Sequence, residues 1–146
     1  MMIMVTGGTG GVGKAIAARL TGAGHDVVVV GRDRSAALVA DLSRLSEMRR
    51  VAEEVGSVDV LINNAGVSKA RRELTEDGLE ATFAVNHMAP FVLSNLLLPK
   101  KIITVASEQH RFVRAIPWDD LQGERRFRQP SSTALPSSTT SCSRAS

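Results

Sequence analysis

The sequence has 146 residues, a formal net charge of +3 and 43% hydrophobic residues, which is enough for one globular domain with its own core. Only 3% of the residues are aromatic, so the core must be mainly aliphatic, and the basic clusters lack the interleaved aromatic residues of a nucleic-acid interface. The single cysteine, Cys142, excludes an internal disulfide, and no apolar run approaches the roughly 20 residues of a membrane span. With no room for a signal peptide before the first motif, we expect a cytoplasmic protein that binds neither membranes nor nucleic acid, and we assign no metal site.

The first forty residues predict one βαβ unit. Residues 2–5 are a short apolar strand, and the segment that follows "TGGTGGVG" has the spacing of a helix. A continuous β-branched run at 26–32 then indicates a strand that is buried on both faces. The helical residues expected to share one buried face are Val12, Ile16, Ala17 and Leu20.

The glycines between this strand and this helix indicate a phosphate-binding turn. Gly7, Gly11 and Gly13 have the spacing G-x-x-x-G-x-G, and a tight turn of this kind needs positive φ and a backbone without side chains where a phosphate approaches. The N-terminus of the following helix adds free N–H groups and its dipole. We therefore assign this turn, including Thr9 and Val12, to a dinucleotide; the alternative is a flexible loop.

The end of the second strand predicts which dinucleotide binds. An acidic residue there bonds the ribose 2′-hydroxyl, whereas an arginine accommodates a 2′-phosphate. Arg32 and Arg34 surround a single carboxylate, Asp33. This pattern favours NADP(H) over NAD(H), the alternative being ordinary loop charges.

The middle of the chain continues the alternation of strands and helices. We predict a third strand at 36–43, a helix whose apolar face carries Leu45 and Met48, a fourth strand ending at Asn63, a long helix at 78–99 and a fifth strand ending at Ser107. This order implies an α/β fold, a Rossmann-like doubly wound parallel sheet. Only four residues separate Gly31 from Ala36, too few for a helical crossover, so we expect the third strand to be displaced, antiparallel or unformed.

At this point the sequence resembles the short-chain dehydrogenase/reductase family over roughly residues 2–128, and its retinol-dehydrogenase-like branch in particular. The matching motifs are Thr6-Gly7-x-x-x-Gly11-x-Gly13, Asp41-Leu42, Asn63-Asn64-Ala65-Gly66, Asn86 within "FAVNHMAPF", and Ser107 after "IITVA". The resemblance implies a fold that is here incomplete, corresponding to the N-terminal part of such an enzyme.

The resemblance also implies a role for each motif. Asp41 and Leu42 would border the adenine of the cofactor. Asn86 would interrupt its helix to hold a water in a proton relay, and Ser107 would bond the oxygen of the substrate, which makes these two the candidate catalytic residues. The residues implied to lie along the cofactor's ribose are Asn63, Ala65 and Gly66. The histidines His87 and His110 are interpreted as surface or packing residues.

The pair Tyr-x-x-x-Lys, which the family places after Ser107, is missing. The sequence has no tyrosine, and it ends in a Ser/Thr-rich stretch. Codons permitted for residues 132–146 can be chosen so that a shifted frame reads Y-G-A-S-K-L-D-N-I-L-F-A-R-E, which resembles the missing motif. We therefore interpret residues 1–128 as a dinucleotide-binding domain that is truncated and frameshifted before the motif; the alternative is a genuine, disordered tail at 129–146.

Together these features predict an NADP(H)-dependent oxidoreductase by descent, which interconverts an alcohol and a carbonyl. Hydride transfer to a carbonyl requires a proton donor, so we expect the chain as written to be impaired. The alternative is a non-catalytic nucleotide-binding remnant or an interaction module. A homodimer through the long helix is conceivable but not favoured.

Overall fold

The computed structural model describes residues 1–107 and 115–127. In this part of the chain five strands pair in parallel in the order β3-β2-β1-β4-β5, which confirms the predicted Rossmann-like sheet. Within the same residues no helix is long and apolar enough to cross a bilayer. In chain order the elements are β1 (Met2–Thr6), α1 (Gly11–Gly22), β2 (Asp26–Gly31), β3 (Leu38–Val39), α2 (Leu45–Val55), β4 (Val60–Asn63), α3 (Ala81–Phe83), a π-helical turn (Ala84–Met88), α4 (Ala89–Leu97) and β5 (Lys101–Thr104).

Two hydrophobic layers cover the two faces of the sheet. Alternate residues of a strand point to opposite faces, so Ile3 and Val5 of β1 face α1, whereas Met4 faces α2 and α4. The layer beneath α2 and α4 is the larger one, and its fully buried side chains include Met4, Val30, Met48, Val51, Leu61 and Leu93.

The predicted face of α2 is confirmed, and that of α1 is wrong at one position. Met48, Val51 and Ala52 of α2 are buried. In α1, however, Val12 is 63% exposed, and the neighbouring Gly13 is buried in its place. The glycine faces inward because the turn after β1 packs directly beneath the first turn of the helix, where no side chain fits.

The third strand forms in parallel directly beside β2, so the expectation that it is displaced, antiparallel or unformed is wrong, although the strand is shorter than the predicted 36–43. Only Leu38–Val39 pairs, in parallel, with the last two residues of β2. To start a parallel strand there, the chain has to run back along β2 only as far as Val30. A linker of six residues can cover this distance without a helical crossover. The Arg50 guanidinium of α2 holds the strand by donating to the carbonyl oxygen of Val39 at 2.7 Å.

The predicted long helix at 78–99 is divided into three parts. Glu80, which is 1% exposed, caps α3 by accepting hydrogen bonds from the N–H groups of Thr82 (3.0 Å) and Phe83 (2.8 Å). The π-helical turn then inserts an extra residue before α4. The helix ends at Leu97, because Leu98 adopts a left-handed conformation with φ of 43° immediately before Pro99.

The fifth strand ends at Thr104 rather than at Ser107. One further hydrogen bond, from the N–H of Val105 to the carbonyl oxygen of Asn63 at 2.9 Å, extends its pairing with β4. Its other edge pairs with no strand of the described residues. Ile102 and Ile103 are accordingly 48% and 41% exposed.

The hydroxyl of Thr6 links the carboxyl ends of β1 and β4 by hydrogen bonds. Thr6, which is 2% exposed, donates to the carbonyl oxygen of Ile62 at 3.3 Å and accepts from the N–H groups of Asn64 and Ala65, both at 3.0 Å. A threonine hydroxyl has one donor and two acceptor sites, so all its hydrogen-bonding capacity is used. The turns that follow β1 and β4 are thereby held at a fixed spacing.

This hydroxyl predicts a clear difference between two substitutions. Thr6→Val removes the acceptor for the N–H groups of Asn64 and Ala65 and puts a methyl group in a buried place, and we expect it to lower the free energy of unfolding by about 3 kcal/mol. Thr6→Ser keeps the hydroxyl and removes only a methyl group, and it should cost about 1 kcal/mol. Urea unfolding followed by circular dichroism measures both, and equal losses would contradict this account of Thr6.

Candidate functional site

A cleft of about 680 Å³ opens where the strands of the sheet end. This is the expected place for a ligand in a doubly wound sheet, because the loops that follow the parallel strands meet there. The cleft brings together residues from the segments that follow β1, β2, β3 and β4. The predicted site residues that line it are Gly7, Thr9, Arg32, Asp41, Leu42, Ala65 and Gly66.

The turn after β1 forms the floor of the cleft. Gly7 has φ of +66°, which a side chain would strain, and its N–H donates to the carbonyl oxygen of Val30 at 2.7 Å. A side chain at Gly13 would overlap the carbonyl oxygen of Gly7 and the side-chain nitrogen of Asn64. Gly7 and Gly13 are therefore required for the close packing of turn, helix and β4.

The N-terminus of α1 has the features of an anion-binding site. Gly10 and Gly11, by contrast with Gly13, have no atoms within 4 Å of the position of a side chain, so their backbone is open to a ligand. The helix has no side-chain cap and no acidic residue in its first turn. Its first N–H groups and the positive end of its dipole are thus left for an anion. These residues fit a pyrophosphate.

Charged side chains follow β2 and β3 at one side of the cleft. Partial burial favours a raised pKa for Asp41, but hydrogen bonds from Ser43 and the charges of Arg32 and Arg44 outweigh it, so the pKa of this carboxyl is lowered. The N–H of Ser43 donates to the carboxylate at 3.0 Å. Asp41 therefore stays ionised beside Arg32 at neutral pH.

Asp33 is directed into its own loop. Its carboxylate accepts from the N–H of Ser35 at 2.7 Å, and hydrogen bonds from Ser35 lower the pKa of this carboxyl. Arg32 makes no ion pair within 4.0 Å with a carboxylate of residues 1–107 or 115–127. The guanidinium is thus available to a ligand in the cleft.

Asn86 fixes the wall formed by the segment after β4. Its side chain accepts from the N–H of Val67 at 2.8 Å and donates to the carbonyl oxygen of the same residue at 2.9 Å. Asn86 lies within the π-helical turn, which matches the expected interruption of the helix. Its role in a proton relay stays a prediction.

Six predicted site residues do not line the cleft, namely Gly11, Val12, Gly13, Asn63, Asn86 and Ser107. Asn63 is 4% exposed, and neither atom of its side-chain amide has a hydrogen-bond partner among the described residues. Ser107 is half-buried just beyond β5 and does not line the cleft. The roles assigned to Asn63 and Ser107, against ribose and substrate respectively, stay predictions.

The predicted packing role of one histidine agrees with its surroundings. His87 is half-buried with its ring centroid 5.0 Å from that of Phe83, and burial lowers the pKa of the imidazole. His110 and the predicted tail at 129–146 lie outside the described residues. No group of three or more potential metal ligands occurs at 1–107 or 115–127.

The sequence alone assigned no role to several residues that shape the site. Asn64 joins the two turns by donating to the carbonyl oxygens of Thr6 at 2.9 Å and Gly7 at 3.1 Å. Lys69 and Glu73, which form an ion pair at 2.7 Å, also line the cleft. The amide beside a predicted glycine turn was a usable signal for Asn64, whereas nothing in the sequence indicated that residues 69–75 fold back over the cleft.

Comparison with known proteins agrees with this geometry. The family model for short chain dehydrogenases matches residues 1–115. Human retinol dehydrogenase 13 is 34% identical over 153 residues, which cover 85% of this chain and 46% of that protein. The chain spans about half the length of the curated relatives it matches.

Solved structures show the same fold. The 3-alpha-hydroxysteroid dehydrogenase from Pseudomonas sp. B-0831, complexed with NADH, has a TM-score of 0.78 at 22% identity and matches 97% of this chain and 63% of its own. A short chain dehydrogenase from Burkholderia cenocepacia in complex with NADP has a TM-score of 0.67 at 27% identity, over 94% and 63% of the two chains. The glycine turn beneath an uncapped helix, the parallel sheet and the matched sequence agree, and the chain belongs to the short-chain dehydrogenase family.

Proposed function

We propose that this chain binds NADP(H) in the cleft, in preference to NAD(H). The observation that carries the proposal is Arg32, a guanidinium that lines the cleft directly after β2 and has no ion-pair partner among the described carboxylates. Similar structures contain NADH in one case and NADP in another, so relatedness does not decide the preference. A free arginine at this place supports a 2′-phosphate.

The other residues around the cleft suggest which parts of the cofactor they would contact. The uncapped N-terminus of α1 would hold the pyrophosphate, and Asp41 and Leu42 would border the adenine. Ala65 and Gly66 would lie along the cofactor's ribose, on the wall that Asn86 fixes through Val67. When bound, the nicotinamide supplies hydride chemistry, and the family descent makes an alcohol/carbonyl pair the substrate class.

A second candidate function, nucleotide binding without catalysis, is favoured by composition. Reduction of a carbonyl requires that a proton reach the oxygen as the hydride reaches the carbon. The family's tyrosine has no counterpart, since the sequence contains no Tyr. The two candidates share one site and differ only in turnover.

Substitution at Arg32 tests the cofactor preference. Arg32→Ala removes charge-assisted hydrogen bonds to the 2′-phosphate and should weaken NADPH binding by about 10- to 100-fold, with NADH binding unchanged. Titration followed by nicotinamide fluorescence measures both affinities. Arg34→Ala removes the other arginine of the same linker, which does not line the cleft; it is the control and should change neither. Equal effects of Arg32→Ala on NADPH and NADH would contradict the proposed 2′-phosphate contact.

A methyl group at the N-cap of α1 tests where the pyrophosphate lies. Gly10 has φ of −147° and open space around the position of a side chain, so Gly10→Ala should fold normally. It should nevertheless weaken both cofactors at least about tenfold, because the methyl group occupies the path of the phosphates. Gly22→Ala, at the other end of α1 and equally open, should leave binding intact. Unchanged binding by Gly10→Ala would exclude this position for the pyrophosphate.

Turnover separates the two candidate functions. Without the proton donor we expect NADPH consumption with aldehyde and ketone substrates to stay at the rate of cofactor in buffer. The measurement is the loss of NADPH absorbance under conditions that saturate the chain with cofactor. Consumption that rises with protein concentration, and falls in Ser107→Ala, would instead establish the catalytic function.

A further inference from the structure

The described segment after the fifth strand is folded into a turn around one carboxylate. Asp120 accepts hydrogen bonds from the N–H groups of Glu124 (2.7 Å), Arg125 (3.3 Å) and Arg126 (3.1 Å). Gly123, with φ of +61°, closes the turn by donating to the carbonyl oxygen of Asp120 at 3.0 Å. We call residues 117–126 the brace.

The brace contacts a hairpin-like loop that lines the cleft. In this wall loop, residues 73–81, Leu74 bridges Glu80 in antiparallel fashion, and the N–H of Ala81 donates to the carbonyl oxygen of Glu73 at 2.9 Å. Several of its residues line the cleft, namely Glu73, Leu74, Thr75 and Ala81. Any movement of the wall loop therefore changes the shape of the proposed cofactor site.

Gln122 joins the brace to Arg72, directly before the wall loop, and to Glu80 near the end of that loop. Its backbone carbonyl oxygen accepts from Nε of Arg72 at 2.9 Å, and its side-chain oxygen accepts from the N–H of Glu80 at 2.7 Å. Glu80 is 1% exposed. Loss of the Gln122 side chain would leave this N–H unpaired unless the loop moves to admit water.

The contact also reaches the other wall. Glu80 caps α3 through the N–H groups of Thr82 and Phe83, α3 runs directly into the π-helical turn, and Asn86 in that turn holds Val67. The hydrogen bond between Gln122 and the N–H of Glu80 therefore lies at the start of α3. Asn86, in the π-helical turn that continues α3, fixes the segment after β4.

We propose that Gln122 is a positioning residue for the cleft, which couples the conformation of the brace to occupancy of the cofactor site. The inference rests on the proposed binding of NADP(H). In the free chain the Gln122 contact keeps the wall loop in its binding-competent position, and a bound cofactor holds the same position and thereby orders the brace. If the brace were not coupled to the cleft, it would stabilise the fold but would not affect the affinity for the cofactor.

The chain carries its own probe for this coupling. Trp118 lies in the brace, is 70% exposed, and is the only tryptophan of a sequence without tyrosine. Its emission and anisotropy therefore report on the brace alone. Oxidised NADP is the suitable ligand for this measurement, because it does not absorb the light that tryptophan emits.

The experiment compares Gln122→Met, which keeps the length of the side chain and removes its acceptor, with Gln122→Glu, which keeps an acceptor oxygen. In the wild type, NADP should raise the anisotropy of Trp118 with the same midpoint as direct binding. Gln122→Met should weaken NADPH binding about three- to tenfold and abolish the Trp118 response, and Gln122→Glu should restore most of both. Glu124→Gln neutralises an exposed side chain that forms a 3.7 Å ion pair with Arg72, and it should behave as wild type.

The outcomes separate this inference from the function on which it rests. A wild-type chain that is folded and binds no NADPH overturns both. Binding that Gln122→Met leaves unchanged, or a Trp118 signal indifferent to NADP, overturns the coupling alone. If Gln122→Met does not fold, Arg72→Met removes the second contact of Gln122 at a half-buried position, and unchanged NADPH affinity in that variant overturns the proposal.

Discussion

The site depends on the buried hydroxyl of Thr6. It forms hydrogen bonds with two N–H groups of the turn after β4 and with one carbonyl of that strand. The Asn64 side chain in turn donates to the carbonyl oxygens of Thr6 and Gly7, at the turn after β1. Such turns contain backbone groups that the sheet cannot pair. Because the side chains of Thr6 and Asn64 pair them, the floor of the cleft and one of its walls form a single rigid unit.

The charges around the cleft have two sources, the N-terminus of α1 and the side chains of Arg32 and Asp41. The N-terminus of α1 has neither a side-chain cap nor an acid in its first turn, so the favourable interaction with negative charge is reserved for a ligand. Arg32 and the ionised Asp41 lie together to one side. Stability gained from the lowered pKa of Asp41 is present above the ordinary pKa of an aspartate and is lost as pH falls through its folded value. The charge pattern of this side is therefore kept at neutral pH.

The two edge strands of the sheet are completed in different ways. A linker too short for a crossover helix still returns the chain, because β3 pairs with only the last two residues of β2. At the opposite edge β5 has two exposed isoleucines, and the chain covers about half the length of its curated relatives.

The sequence by itself determined the order of the strands and helices and the glycine turn after β1, because glycine spacing, β-branched runs and helical periodicity are local consequences of backbone sterics and burial. It could not decide the length and direction of β3, the exposure of Val12, or the half-buried place of Ser107 outside the cleft, since these depend on how far a linker reaches and on what packs beneath a helix. Only the tertiary structure revealed that Thr6 unites two turns, and that Gln122 contacts the loop lining the cleft. Both contacts are hydrogen bonds between residues more than forty positions apart. Hydrophobic periodicity reflects only local structure, so it cannot predict which distant residues form such bonds.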